Sequence, residues 1–475
     1  MDSAYRHELR SAEFLYEGLG IADMAHTAML MKKGIIRKNI GKSMLRKLIE
    51  FKNIPITKLP FDPSIGDVYT NREFFLRKKL GNLTNYIHTG RARREATNIA
   101  FLIICREGIV RLSYSLATLC KTLLRLAQQY KKTYMSDFTY LQHAHPTTLG
   151  HYLLGYLYPL TRDMNRLKDA YININQSPAG SGSVNGSQLP LDRNYLRTLM
   201  EFDSLIVHTR DAMWRHDIVI ESALPLITIL TTIGRFSEEL IIWCTKEFGF
   251  VELSPLHIRK SIIMPQKKNP YSLTFLRGLS RSMLGRFLSI IAVGHTVSGQ
   301  PDNRIFVYYD FPECINETRK AVDLFTEVID HCKFNKKRLL SSAKEGFTLA
   351  TDIADYIVTH YNVDNRTAYN IVAKTIDKID KYNNKITPES IYVTAKEFGI
   401  NLHKILNKKF YENFQLDKLI EKRKGVGGAS TKSLDSMIEE CKDEIKRIMI
   451  FFNKKNPELF RKRFYRKIRL LAEKG

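Results

Sequence analysis

Leu149, Leu153, Tyr156, Leu160, Met164, Leu167 and Tyr171 step by three or four positions over about six turns, so one stripe of the segment stays apolar throughout. That is longer than an average globular helix. The spacing predicts a long helix over 149–171 in which Pro159 introduces a kink without changing the buried face. Further on, Thr387, Pro388 and Glu389 read as cap, first-turn proline and first-turn acid, with Ile391, Ala395 and Phe398 on one face and Gly399 as the stop. Period-two alternation is scarce. The expected class is all-α, with long central helices in a bundle.

A chain of 475 residues, 44% hydrophobic, can bury a large core. Its 74 basic and 49 acidic side chains give a formal charge of +25. That excess would suit nucleic acid, an anionic membrane or small polyanions, yet the lysines are scattered through every segment, the pattern of a solvated basic face. The densest cluster runs from Lys454 to Arg469 with Phe460, Phe464 and Tyr465 interleaved, and reads as one amphipathic terminal helix. Cys105, Cys120, Cys244, Cys314, Cys332 and Cys441 have neither zinc-site pairing nor disulfide-scaffold density, which fits a reducing compartment. The N-terminus is charged where a signal peptide needs an apolar stretch, and no window approaches the roughly 18 apolar residues of a membrane span. A soluble, cytoplasmic protein is expected.

Three polar or glycine-rich stretches interrupt the helical pattern: SPAGSGSVNGSQLP from Ser177 to Pro190, SIIMPQKKNP from Ser261 to Pro270, and KGVGGAS from Lys424 to Ser430. Each reads as a loop of the kind that holds function on rigid helices. SIIMPQKKNP is the most specific. It resembles the Gly-Ser-Ser-x-Met-Pro-x-Lys-x-Asn-Pro signature of the fumarase/aspartase superfamily, in the version found in argininosuccinate lyases. EFGFVEL, SPAGSGSVNG followed by PLDR, AHTAMLMKKGII, HTGRAR, LQHAHPTTLGHYLLGY, ATDIADYIV and VGGAS resemble corresponding stretches of that family in the same order. The resemblance implies three helical domains, 1–90, 91–340 and 341–475. It also implies a homotetramer with a core of roughly twenty helices, each site assembled from three chains, and the 88–95 stretch, the 139–146 stretch and the 261–270 loop coming from different subunits.

The superfamily's shared chemistry removes a proton beta to a leaving group and alpha to a carboxylate, so the intermediate is a dianion that needs fixed positive charge and N–H donors. By resemblance, Ser261 is the base, Lys267 lies beside the dianion, and Asn269 orients the same carboxylate. A serine hydroxyl acts so only among cations and N–H groups. Thr139, Arg91, Arg93 and Arg94 would fix carboxylates, with Thr89, Gln142 and Met264 completing the substrate-facing set. No cofactor and no metal are implied. His88, His143, His145 and His151 show no ligand spacing, and His143 and His145 are candidates for the pocket lining.

Several positions depart from the family pattern. Lys260 replaces the signature's glycine and Ile262 its second serine, which bears on the backbone path of a closing loop. The general-acid histidine is Tyr140, and the glutamate paired with it is Thr274; tyrosine at neutral pH is a usable donor and a poor base. In Thr89-Gly90-Arg91-Ala92-Arg93-Arg94-Glu95, the family's serine and asparagine have become Ala92 and Arg94. Arg94 is either a fork for an anion that the family's substrate lacks or the partner of Glu95. Gly66-Asp67-Val68-Tyr69 replaces another histidine with tyrosine. GQPDNRIFVYYDF, from Gly299, lacks the acids and amides that hold the arginine half of argininosuccinate. Two functions follow: a carbon–nitrogen lyase with altered specificity that releases fumarate from a succinyl-type substrate, or an inactive scaffold kept as a structural or binding protein. Nucleic-acid binding is a weaker third, since no recognisable module is present.

Overall fold

The computed structural model describes residues 1–300, 302–379, 386–406 and 414–473, so Pro301 of the GQPDNRIFVYYDF stretch lies outside the described residues. The N-terminal third holds α1 (Asp2–Leu9), α2 (Ala12–Lys32), α3 (Lys38–Lys52) and α4 (Val68–Leu80). The centre holds α5 (Arg93–Gln129), α6 (Leu149–Ile174), α7 (Arg193–Leu199), α8 (Thr209–Trp214), α9 (Asp217–Trp243), α10 (Tyr271–Ala292) and α11 (Asp302–His331). The all-α expectation holds, with short two-stranded ribbons at the helix ends.

The 37 residues of α5 make a rod about 56 Å long at helical rise, and it packs against α2, α6 and α11. Two glycines set how closely its neighbours approach. A Cβ on Gly18 of α2 would stand 2.6 Å from Ala100 Cα of α5, and one on Gly150 of α6 would stand 2.6 Å from the Ala127 carbonyl oxygen. The seven residues of the predicted stripe are all buried along α6. Thr148 caps that helix by accepting the His151 N–H, and Pro159 lies within it. Tyr156 stacks on Phe236 of α9 with ring centroids 3.9 Å apart.

One expectation needs correcting. α9 is long and apolar enough to cross a membrane by length and composition, although just over half of its most apolar window is buried inside the fold. The apolar excess has a visible use, since Ile220 and Leu224 of α9 and Phe275, Leu284 and Leu288 of α10 face solvent in the single chain. Gly278 and Gly285 of α10 have no atom within 4 Å of where a Cβ would stand.

The main hydrophobic core runs through residues on both sides of position 90 and takes in the last two helices, Thr431–Asn453 and Pro457–Glu473. A second, small core is enclosed by Ala350–Tyr361, Asn365–Lys378 and Pro388–Lys396, around Ile357, Ile371 and Ile391. Residues from 434 onward return to the main body. Thr387 caps Pro388–Lys396 in a reciprocal box with Ser390. The terminal helix buries Phe460, Phe464, Ile468 and Ala472 and turns its bases outward. All six cysteines are free, and burial pushes the thiols of Cys244, Cys314 and Cys332 up to about 12.

Since Gly18 has no room for a methyl group, Gly18→Ala is expected to destabilise the fold by about 1–3 kcal/mol through overpacking. Urea denaturation of the two proteins measures this.

Candidate active site

The approach to α5 is fixed by buried charge. Asp23 projects from α2, where every neighbour from Leu19 to Leu30 is buried. Its carboxylate is fully buried and is held by Arg72 of α4 on one oxygen and by Arg91, 2.5 Å away, on the other. Burial alone would raise the Asp23 pKa, but the two guanidinium groups outweigh it and hold the carboxyl below the usual range. Arg91 also donates to the Ala22 carbonyl at 3.2 Å and to the Tyr69 hydroxyl at 3.4 Å. The Tyr69 phenol is pushed up to about 12 by burial. His26, driven down to about 3 by burial and then by Arg91, bonds the Thr89 carbonyl at 2.9 Å and so is neutral.

This corrects the expectation for Arg91. Its side chain is 1% exposed and engaged with Asp23, so it anchors the 88–95 stretch instead of facing solvent. Thr89 contributes its backbone carbonyl to the same anchor. Arg93 is exposed and pairs with Asp67 at 3.0 Å, the residue that caps α4 by accepting the Thr70 N–H. Arg94 is half-buried, and its choice of partner is decided against Glu95. The Glu95 carboxylate, fully buried, accepts the N–H groups of Gly180 at 2.6 Å and Gly182 at 2.8 Å. Both glycines have φ near +70°, which lets their N–H groups converge on one carboxylate. Burial raises Glu95 to about 7 against the pull of Gly180, Arg91 and Gly182. Among the described residues Arg94 has no hydrogen bond or ion pair, so a permanent charge is left available.

The second segment is a hairpin, β1 (Tyr134–Thr139) against β2 (Gln142–Thr148), in which Thr139 faces Gln142 across a two-residue turn. Tyr140 and Leu141 occupy that turn with φ of 53° and 58°. Both signs match the tight turn that strand twist favours, which Asn-Gly normally supplies. Bulky side chains there cost about 1–3 kcal/mol each and tend to persist where function requires them. The turn thrusts Tyr140 into solvent at 98% exposure, with Thr139 and Gln142 exposed beside it. Behind the tip, His143 packs on Phe138 with ring centroids 5.0 Å apart, and a Cβ on Gly346 would stand 2.8 Å from His143.

The signature stretch forms the third segment. Arg259–Lys260 pairs with Lys268–Asn269 in a short ribbon, so the stretch expected as a loop carries two strand pairs at its base. The Ser261 Oγ accepts the Met264 N–H at 3.1 Å, while the Lys267 N–H donates to the Met264 carbonyl at 3.0 Å. Asn269 donates its amide to the Arg259 carbonyl at 2.9 Å. Ile262, Ile263 and Met264 at the tip are exposed, and so is Lys267. Lys260 sits in the paired strand, where no special backbone conformation is called for, so the lost glycine is accommodated. Thr274, at the start of α10, bonds the Pro270 carbonyl at 3.1 Å.

Within one chain, no hydrogen bond or ion pair among the described residues joins any two of these three segments. They are solvent-facing tips on rigid supports. No cluster of metal-ligating side chains occurs among the described residues. Sequence reasoning did not single out Asp23, Arg72, Gly180 and Gly182. The signal for Asp23 was present, as an acid inside an otherwise apolar helical run.

Helix bundle, strained hairpin tip and signature ribbon together define an all-helical lyase of the fumarase/aspartase type. The solved structure of an EDDS lyase in complex with formate superposes with a TM-score of 0.86 at 24% identity, covering 98% of this chain and 94% of that one. The chain belongs to the lyase family, whose model matches residues 10–285. Its relatives include the argininosuccinate lyase of Acetivibrio thermocellus, 30% identical over 428 residues that make up 88% of this chain and 91% of that protein. The argininosuccinate lyase of Methanospirillum hungatei is 32% identical over 444 residues, 92% of this chain and 88% of the relative.

Two outcomes are expected. Asp23→Asn leaves two buried guanidinium groups facing a neutral amide, and denaturation should show a loss of about 3–5 kcal/mol. Glu95 is the opposite case. Its folded pKa of about 7 exceeds the ordinary glutamate value of about 4.5, so its contribution is full below about 4.5 and lost as pH rises through about 7. Stability of the unaltered protein relative to Glu95→Gln should therefore fall across that window, measured by urea titration at a series of pH values.

Proposed function

We propose that this chain is a carbon–nitrogen lyase that eliminates an amine from a succinyl-type substrate and releases fumarate or a close analogue, or runs the addition in reverse. The observation that carries the reading is the signature ribbon, which presents Ser261 and Lys267 at an exposed turn with Asn269 on the returning strand. Ser261 takes the proton alpha to the carboxylate, and the electron pair passes into that carboxylate. Lys267, Asn269 and turn amides hold the dianion. The C–N bond then breaks while Tyr140, or water bound to it, supplies a proton to the amine. Thr139, Gln142, Thr89 and Met264 line the substrate, and Arg93 and Arg94 hold carboxylates. Arg91 acts behind them by holding the stretch in place.

We read the assembly as a homotetramer, because the three tips make no hydrogen bond or ion pair with one another within one chain and contribution by different subunits would bring them together. The solvent-facing apolar residues of α9 and α10 are the surface such an assembly would cover. The cytoplasm is the compartment that its free, buried thiols suit. Argininosuccinate is a poor fit, since Val307, Tyr308 and Phe311 of the stretch after Gly299 are buried in the core where the guanidinium-holding set would be needed. The unpaired Arg94 favours a leaving amine that carries an anionic group of its own. The second reading, an inactive scaffold, is favoured by the replacement of the acid–glutamate pair with Tyr140 and Thr274. A scaffold under no catalytic constraint should not keep affinity for fumarate.

The test is fumarate release, followed by ultraviolet absorbance, from a panel of N-succinyl amines and amino acids including argininosuccinate. Ser261→Ala is expected to lower turnover about a thousandfold. Unchanged turnover in that variant defeats the serine-base assignment, and absence of both turnover and fumarate binding favours the scaffold.

A further inference from the structure

A second polar cavity, of about 300 Å³, lies away from all three segments, between the middle of α5, the end of α6, the turn after α7 and the junction of the last two helices. Two of its ion pairs are internally satisfied. Arg463 grips Glu201 through two hydrogen bonds of 2.9 and 2.6 Å, and Lys455 donates to Asp203 at 2.6 Å. Three further cations on the wall have no carboxylate. Arg106, fully buried, spends its donors on the Asn175 side-chain oxygen at 2.7 Å and on the Met200 and Glu201 carbonyls at 2.8 and 3.2 Å. Arg197 reaches the Asp203 carbonyl at 3.0 Å, the Phe202 carbonyl at 3.5 Å and Thr198. Lys454 is exposed and has no hydrogen bond or ion pair among the described residues.

On the same wall, Glu107 is 2% exposed. One of its oxygens takes Arg461 at 2.6 Å and Arg111 at 3.2 Å, while Oε1 is buried without a partner. The buried Arg106 charge without a carboxylate partner and a buried acceptor lacking a donor are costly, and each is satisfied by a ligand of complementary groups. Phe202 and Phe460, whose rings lie 4.4 and 4.6 Å from the Arg106 guanidinium, keep that group flat and give the ligand an apolar surface.

We infer that this cavity binds an α-amino dicarboxylate, with its carboxylates on Lys454, Arg197 and Arg106 and its ammonium on Glu107 Oε1. Three cations without a carboxylate partner and one unpaired acceptor call for two anionic groups and one donor in the same small molecule. A simple dicarboxylate leaves Glu107 unsatisfied, and an amino acid with one carboxylate leaves cations unpaired.

The test titrates L-aspartate calorimetrically into the full chain carrying Lys267→Ala, which removes dicarboxylate affinity at the signature ribbon. Saturable one-per-chain binding is expected there, at least about tenfold weaker for succinate, and weakened about tenfold or more by adding Lys454→Ala, the loss of one charge-assisted hydrogen bond. Lys454→Arg should restore most of it. Lys454 is an exposed residue, so its variants keep the fold. Absence of saturable binding in the Lys267→Ala chain, equal affinity for succinate, or indifference to Lys454→Ala overturns the inference.

Discussion

The carboxylate of Asp23 between two guanidinium groups is the interaction on which the candidate site depends. Taking one carboxylate and two arginines out of water costs several kcal/mol per ion and is tolerable only with close, well-directed pairing. The pairing ties α2, α4 and the approach to α5 at a single point. α5 therefore starts where it does, at Arg93, and Arg93 and Arg94 emerge on its first turn with defined directions. Asp67 and Glu95 extend the same logic outward: one caps α4 while steering Arg93, the other pins the glycine-rich loop through two N–H groups.

A common design unites the three segments. Each is a short, exposed tip whose geometry is set by something rigid behind it: buried charge for 88–95, ribbon pairing and packing on Phe138 for the 140–141 turn, and backbone pairing for Ser261. Such tips place side chains accurately without closing a pocket by themselves, the support fixing the direction and the tip carrying the side chain. The strain held at Tyr140 and Leu141 fits this division, because a relaxed turn with the same residues would aim Tyr140 elsewhere.

Much of this was legible in the residues. The apolar period from Leu149 to Tyr171 is borne out along α6, the Thr387 cap along Pro388–Lys396, and the signature stretch identified the family. The failures have physical causes. Tyr-Leu is not a turn-forming pair, so a hairpin built on it gives no local signal and is stabilised by context. Arg91 was read by its charge, but its fate was set by Asp23, 68 residues earlier in the chain. α9 escaped notice as an apolar helix because the charges at its two ends, Asp217 and Glu221, then Arg235, Glu238 and Glu239, bracket an uncharged run, whereas its mean character is that of a core element with one open face. Chain order gives no sign that the final two helices fold back onto the main core, which packing between residues far apart in sequence decides.

The six unpaired cysteines have a chemical consequence of their own. The thiolate is the form that reacts with peroxide or alkylating reagents, and burial keeps the thiol protonated in Cys244, Cys314 and Cys332 across the physiological range. Those three thiols are thus held in the unreactive protonated form, poor targets for oxidants.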